Sequence, residues 1–194
     1  MVTHGGALAS IGETTRGVVD RIMATWGKAT DSDKEAGATW YSEGEKIVDQ
    51  LSAQTGRSRE TVAAVIAHLS PRTTWSRNVS GATSFLLTGE APFCMRANVD
   101  RAITAMGSKD PLGTINGPKT QRFARNLLGD SESVTVDVWA ARVALGRDNE
   151  HLLERKGIYG ALEHCYRLAA RRAGVHPTTM QATTWIVARN GRVN

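Results

Sequence analysis

Apolar residues in this chain recur every three or four positions and almost nowhere alternate, a spacing that admits helices and little else. Val18, Val19, Ile22, Met23 and Trp26 form one face, and Gly27 follows as a stop. A second helix is predicted over 34–55, carrying Trp40, Tyr41, Ile47, Val48 and Leu51, with Gly56 closing it. Ser58 is placed as an N-cap ahead of Val62, Val65, Ile66 and Leu69, a helix that the Ser70-Pro71 step ends. Helices over 76–87, 95–106 and 120–128 follow, with 107–117 read as loop. A short extended run, Val134-Thr135-Val136, leads into Asp137, and two helices over 158–173 and 178–189 complete the pattern. The expected class is all-α: one helical domain over 1–194, without a substantial sheet, internal repeat or linker.

A chain of 194 residues can bury a core without covalent staples. Its two cysteines, Cys94 and Cys165, exclude a disulfide framework and a four-cysteine metal or iron–sulfur site, and no metal or other cofactor is expected. No apolar stretch reaches a membrane span, and residues 1–11 lack the pattern of a signal peptide, so a cytoplasmic monomer is expected. The net charge of +5 favours a polyanion partner mildly. Carboxylates crowd into 31–49 while arginines populate the rest, which leaves open whether one side of the fold is basic or the charges are ordinary solvated faces.

Two segments carry chemistry. Asn116-Gly117-Pro118-Lys119-Thr120 reads as a glycine-containing hairpin opening a helix, an arrangement that presents N–H groups and a positive helix end to a phosphate. Asp137 stands between the extended run and the helix of Val138-Trp139-Ala140-Ala141-Arg142-Val143, an N-cap position for an acid. Lys119 and Asp137 are eighteen residues apart, so one helix and one turn suffice to bring amine and carboxylate to opposite walls of one cleft.

In these residues the chain resembles the helix-hairpin-helix DNA glycosylases of the endonuclease III and oxoguanine glycosylase type. Gly117-Pro118-Lys119-Thr120, Val136-Asp137 and Arg142-Val143 match the family's hairpin, aspartate and following helix at the same spacing, and the likeness covers roughly 60–147. Upstream, Leu69-Ser70 and the stretch to Asn78 look like the segment before the loop that enters DNA. The chain departs from the family in three ways. Gly113-Thr114-Ile115-Asn116-Gly117 replaces the usual two-glycine frame, and the C-terminal cluster cysteines are missing. His176 to Trp185 matches no glycosylase signature and looks more like phage-encoded relatives linked to thymine hypermodification.

The resemblance implies DNA as partner and cleavage of the bond between sugar and base, with or without a lyase step, on a damaged or modified pyrimidine flipped from the stack. Asp137 is then the carboxylate that stabilises positive charge on the sugar, and Lys119 the amine nucleophile. Asn116, Gly117, Thr120, Arg72, Thr73, Trp75, Arg77 and Asn78 are the expected DNA contacts, with Arg72, Thr73 and Trp75 placed to fill the vacated stack. Ser70, Trp139, Arg142 and Gln181 are candidates for lining the pocket, and Arg189 joins them on the last helix.

Each of these residues also has an ordinary reading. Asp137 serves as a cap alone, Lys119 as a phosphate contact, Trp75, Trp139 and Trp185 as packing residues, and His68 as a structural side chain. Two other functions stay open: a transferase that modifies a hydroxymethylpyrimidine with the same pocket, and a DNA-binding module without catalysis.

Overall fold

The structure is a computed structural model that describes residues 3–148 and 150–189, and for Glu150 its backbone alone. Among these residues it is all-α, with ten α-helices and no strand. The contacts group into two compact units, 1–41 with 131–193 and 42–130. No linker composition marks the division, because the 25-residue helix α3 (Asp31–Thr55) contributes to both.

The first unit holds α1 (His4–Ala9), α2 (Thr15–Trp26), the opening turns of α3, α8 (Val138–Leu145), α9 (Ile158–Ala173) and α10 (Pro177–Ala188). A 3₁₀ turn, Glu150–Glu154, lies between α8 and α9. Val18, Val19 and Ile22 of α2, Ala140 and Ala144 of α8, Ile158, Leu162, Tyr166 and Ala169 of α9 and Met180 of α10 form the core. Helix α9 packs against α1, α2 and α10. Its small inward residues, Ala161, Ala169 and Ala170, permit that close approach.

The second unit holds the rest of α3, α4 (Arg59–Leu69), α5 (Trp75–Thr88), α6 (Arg96–Gly107), a 3₁₀ turn at Leu112–Thr114 and α7 (Pro118–Leu127). Every residue of α4 from Thr61 to Leu69 is buried, so this is a central helix where the sequence suggested one apolar face. Ala63, Ala64 and Ala67 on its other faces let α5, α6 and α7 surround it.

Helix ends follow the local chemistry. Ser58 Oγ caps α4 by accepting from the Thr61 N–H at 3.2 Å, and Gly27 closes α2. Helix α9 spans Ile158–Ala173, in agreement with the apolar periodicity. Helix α1 and both 3₁₀ turns were not expected: they are short, and His4-Gly5-Gly6 is a poor helix opening that Thr3 rescues by accepting from the Gly6 N–H. Trp75, expected in a loop, is the first residue of α5, because Thr74 supplies the cap one position earlier.

Residues 133–137 belong to no helix or strand, and α9 side chains supply hydrogen bonds to their backbone and to that of Glu132. Tyr159 Oη donates to Val134 O and accepts from the Val136 N–H, each at 3.0 Å. The buried Glu163 accepts from the Val134 N–H at 3.2 Å, and Arg167 Nε donates to Glu132 O at 2.9 Å. These three side chains recur every fourth residue, so one stripe of a helix holds one run of backbone in place.

Candidate active site

Asp137 ends that extended run and caps α8. The Ala140 N–H donates to its Oδ1 at 2.8 Å, and the indole Nε1–H of Trp185 donates to its Oδ2 at 3.0 Å. Both oxygens are therefore held, one by backbone and one by α10. The carboxylate is half-buried.

Around it, α3, α8 and α10 assemble an aromatic and cationic group. The Trp40 ring lies 5.4 Å from that of Trp185. The Arg189 guanidinium lies 5.0 Å from the Trp185 ring and 5.4 Å from the Trp139 ring. Arg142 lies 4.7 Å over Trp139, at a distance suited to cation–π attraction, while Asp148 binds it in a fork at 2.9 and 3.0 Å. Tyr41 Oη donates to Gln181 Oε1 at 2.9 Å. Burial pushes the Tyr41 phenol well above its ordinary range, which the Thr135 hydroxyl partly offsets and the Asp137 charge adds to. It remains a neutral donor. Of the expected pocket residues, Trp139, Arg142 and Gln181 thus lie in the first unit, with Gln181 buried.

The second unit carries the segment 116–120. Gly117 has φ +93°, a backbone that side chains rarely adopt, and α7 opens immediately after it with Pro118 as its first residue. Pro118 therefore removes an N–H that the first turn would not have used. Lys119 and Thr120 are half-buried, Asn116 is exposed, and Lys119, Arg122 and Arg125 give the helix its positive charge. Its first turn contains no acid.

Upstream, Ser70 closes α4 by donating to Ala67 O at 2.9 Å, and Thr73 donates to Ser70 O at 3.0 Å. Between them Arg72 is exposed with φ +62°, a conformation that costs a residue with a Cβ about 1–3 kcal/mol. Arg77 is exposed and sets its guanidinium 5.7 Å from the Phe93 ring. Two of the expected DNA contacts, Trp75 and Asn78, lie on α5. Asn78 is 2% exposed, since the apolar side of α5 turns it inward. The half-buried Trp75 ring packs edge-on to Phe123 at 6.1 Å, against the apolar cluster of this unit.

His68 is buried and shares a 3.0 Å hydrogen bond with Thr114 Oγ1, in keeping with a structural role. Among the described residues no group of three or more His, Cys, Asp or Glu side chains is placed to hold a metal ion, and no helix is long and apolar enough to cross a membrane. What reasoning on the sequence missed is Trp185 beside Asp137. The unmatched stretch ending in Trp185 was the available signal, yet the residue read as packing.

An all-helical chain whose capping aspartate is held by backbone and indole defines a class of architecture, not an activity. The chain belongs to the family described as "Family of unknown function (DUF7178)", which matches residues 6–192. No curated protein and no solved structure matches it.

Proposed function

We propose that this protein is a DNA glycosylase acting on a damaged or modified pyrimidine. The observation that carries the reading is Asp137: a half-exposed carboxylate with both oxygens held, in the Val-Asp frame eighteen residues after a Gly-Pro-Lys-Thr hairpin. Breaking the bond between sugar and base sends its electron pair to the leaving base and develops positive charge on the sugar, which a fixed carboxylate stabilises without reorganising. By the resemblance alone, Lys119 is the candidate amine for a lyase step, bonding to the anomeric carbon as the base leaves and giving a Schiff base once the sugar ring opens. DNA is the partner, engaged by a monomer inside the cell, with the positive opening of α7 on phosphate.

The test is incubation with duplexes bearing uracil, hydroxymethyluracil, a T:G mismatch or an abasic site. Base release is expected on at least one, with a covalent complex trapped by borohydride. Lys119→Ala should abolish trapping, and Asp137→Asn should slow base release by roughly two orders of magnitude or more while leaving DNA binding nearly intact. Absence of both products on every substrate would sink the reading. Mass spectrometry of nucleosides from the treated DNA distinguishes it from base modification, in which the bond to the sugar survives.

A further inference from the structure

Helix α10 carries the stretch from His176 to Trp185, which the chemistry above does not use. Its last full turn ends beside Asp137, and its contacts are directed there. The indole Nε1–H meets Asp137 Oδ2 at 3.0 Å, and an indole donates without accepting, so it can orient a carboxylate but cannot take its proton. An aspartate held by its helix N–H alone keeps freedom about its terminal torsion, which is broad for a planar group. A second donor from a different helix removes that freedom.

The indole is itself immobilised. Trp40 packs on one side at 5.4 Å, and the Arg189 guanidinium lies 5.0 Å away and also reaches Trp139, two residues into α8. The order Trp185, Arg189, Trp139, Arg142 therefore ties the end of α10 to the opening of α8, the helix that Asp137 caps. The fit of α10 against α3 depends on Gly37, where a Cβ would lie 2.7 Å from Thr183 N, two residues before Trp185.

We infer that Trp185 is the positioning residue of Asp137, and that α10 serves to fix the plane of that carboxylate for stabilising the sugar cation. This rests on the glycosylase reading. Trp185→Phe keeps the ring and removes the donor. A hydrogen bond to a charged group contributes enough that its loss should lower the single-turnover rate of base release about 10- to 100-fold. DNA affinity, read by fluorescence anisotropy, should stay within about twofold, and the melting temperature within a few degrees.

A second measurement does not depend on turnover. The indole N–H resonance of Trp185, identified by its loss in Trp185→Phe, should move in Asp137→Asn more than those of the other four tryptophans. The inference is overturned if Trp185→Phe releases base within twofold of the wild-type rate, if rate, affinity and melting temperature fall together as for a packing residue, or if the indole resonance ignores Asp137→Asn. A wild-type protein that releases no base overturns the glycosylase reading and this inference with it, an outcome told apart from the others by the unmutated arm.

Discussion

Replacing Gly37 by alanine should destabilise the protein, although the same change at most helical glycines stabilises. Alanine is the better helix former by about 1 kcal/mol, so propensity alone predicts a gain. Gly37 is buried inside α3, and a Cβ there would stand 2.0 Å from Thr183 Oγ1, 2.7 Å from Thr183 N and 2.8 Å from Thr183 Cα. Two of those three atoms are backbone, so no rotamer relieves the clash and α10 must move away. Overpacking a core costs about 1–3 kcal/mol, and a contact against backbone belongs at the upper end. Subtracting the propensity gain leaves a net loss of about 2 kcal/mol. For a chain of this size that corresponds to a fall in melting temperature of about 4–8 °C.

The assay is thermal unfolding followed by circular dichroism, with Gly5→Ala as control. Gly5 lies in α1, and a Cβ there would have nothing within 4 Å, so its replacement should be neutral or mildly stabilising. Thr183→Ala in the Gly37→Ala background should restore part of the loss, because it removes the hydroxyl contact and leaves the backbone ones. A melting temperature for Gly37→Ala within about 1 °C of wild type, or full rescue by Thr183→Ala, would refute the close approach of α3 and α10.

Other consequences can be measured alongside. Tyr159→Phe removes a hydroxyl that serves two backbone groups of the extended run, and denaturant unfolding should show a loss of about 1–3 kcal/mol; no loss would mean that water replaces it. His164 is held below its ordinary pKa by burial, then by His4 stacked at 4.8 Å and by Arg171 and Arg167, and His68 by burial and then Arg101. Their folded values lie below the unfolded 6.5, so their contribution is present above pH 6.5 and is lost as pH falls through 6.5 toward the folded values. The melting temperature should therefore drop on acidification across that window, and less steeply in His164→Gln; parallel curves for the two proteins would contradict the assignment. Burial pushes the Cys165 thiol up to about 11 despite Arg21, so at pH 8 it should react with a disulfide reagent only after unfolding; rapid labelling of the native protein at Cys165 would show that it is not enclosed.

Most of the fold was legible because helix spacing and caps are local. Gly27 and Ser58 act on their own neighbours, and the structure puts helix ends at both. The central position of α4 was less so: Ala63, Ala64 and Ala67 are too small to register as an apolar face, yet they are what lets three helices close around it. The grouping into two units left no trace in composition, because a continuous helix passes from one to the other. Trp75 and Asn78 differ from expectation for separate local reasons. A cap at Thr74 starts α5 one residue earlier than the apolar spacing indicates, which brings Trp75 into the helix, while Asn78, already within the predicted helix, falls on its buried side.

The site divides along the same line between local and distant. Asp137 could be recognised as a cap because its first partner, the Ala140 N–H, is three residues away. Its second partner is forty-eight residues on, and no spacing rule reaches that far. The same holds for the extended run before it. Tyr159, Glu163 and Arg167 look like ordinary positions on α9 until the backbone they hold is in view. An aspartate needed only as a helix cap is satisfied by its own helix, and neither α10 nor its tryptophan adds to that task. A packed indole also needs an acceptor for its N–H, which Oδ2 supplies to Trp185, so the base-release rate of Trp185→Phe is what separates a carboxylate that only closes a helix from one that must face a developing cation at a fixed angle.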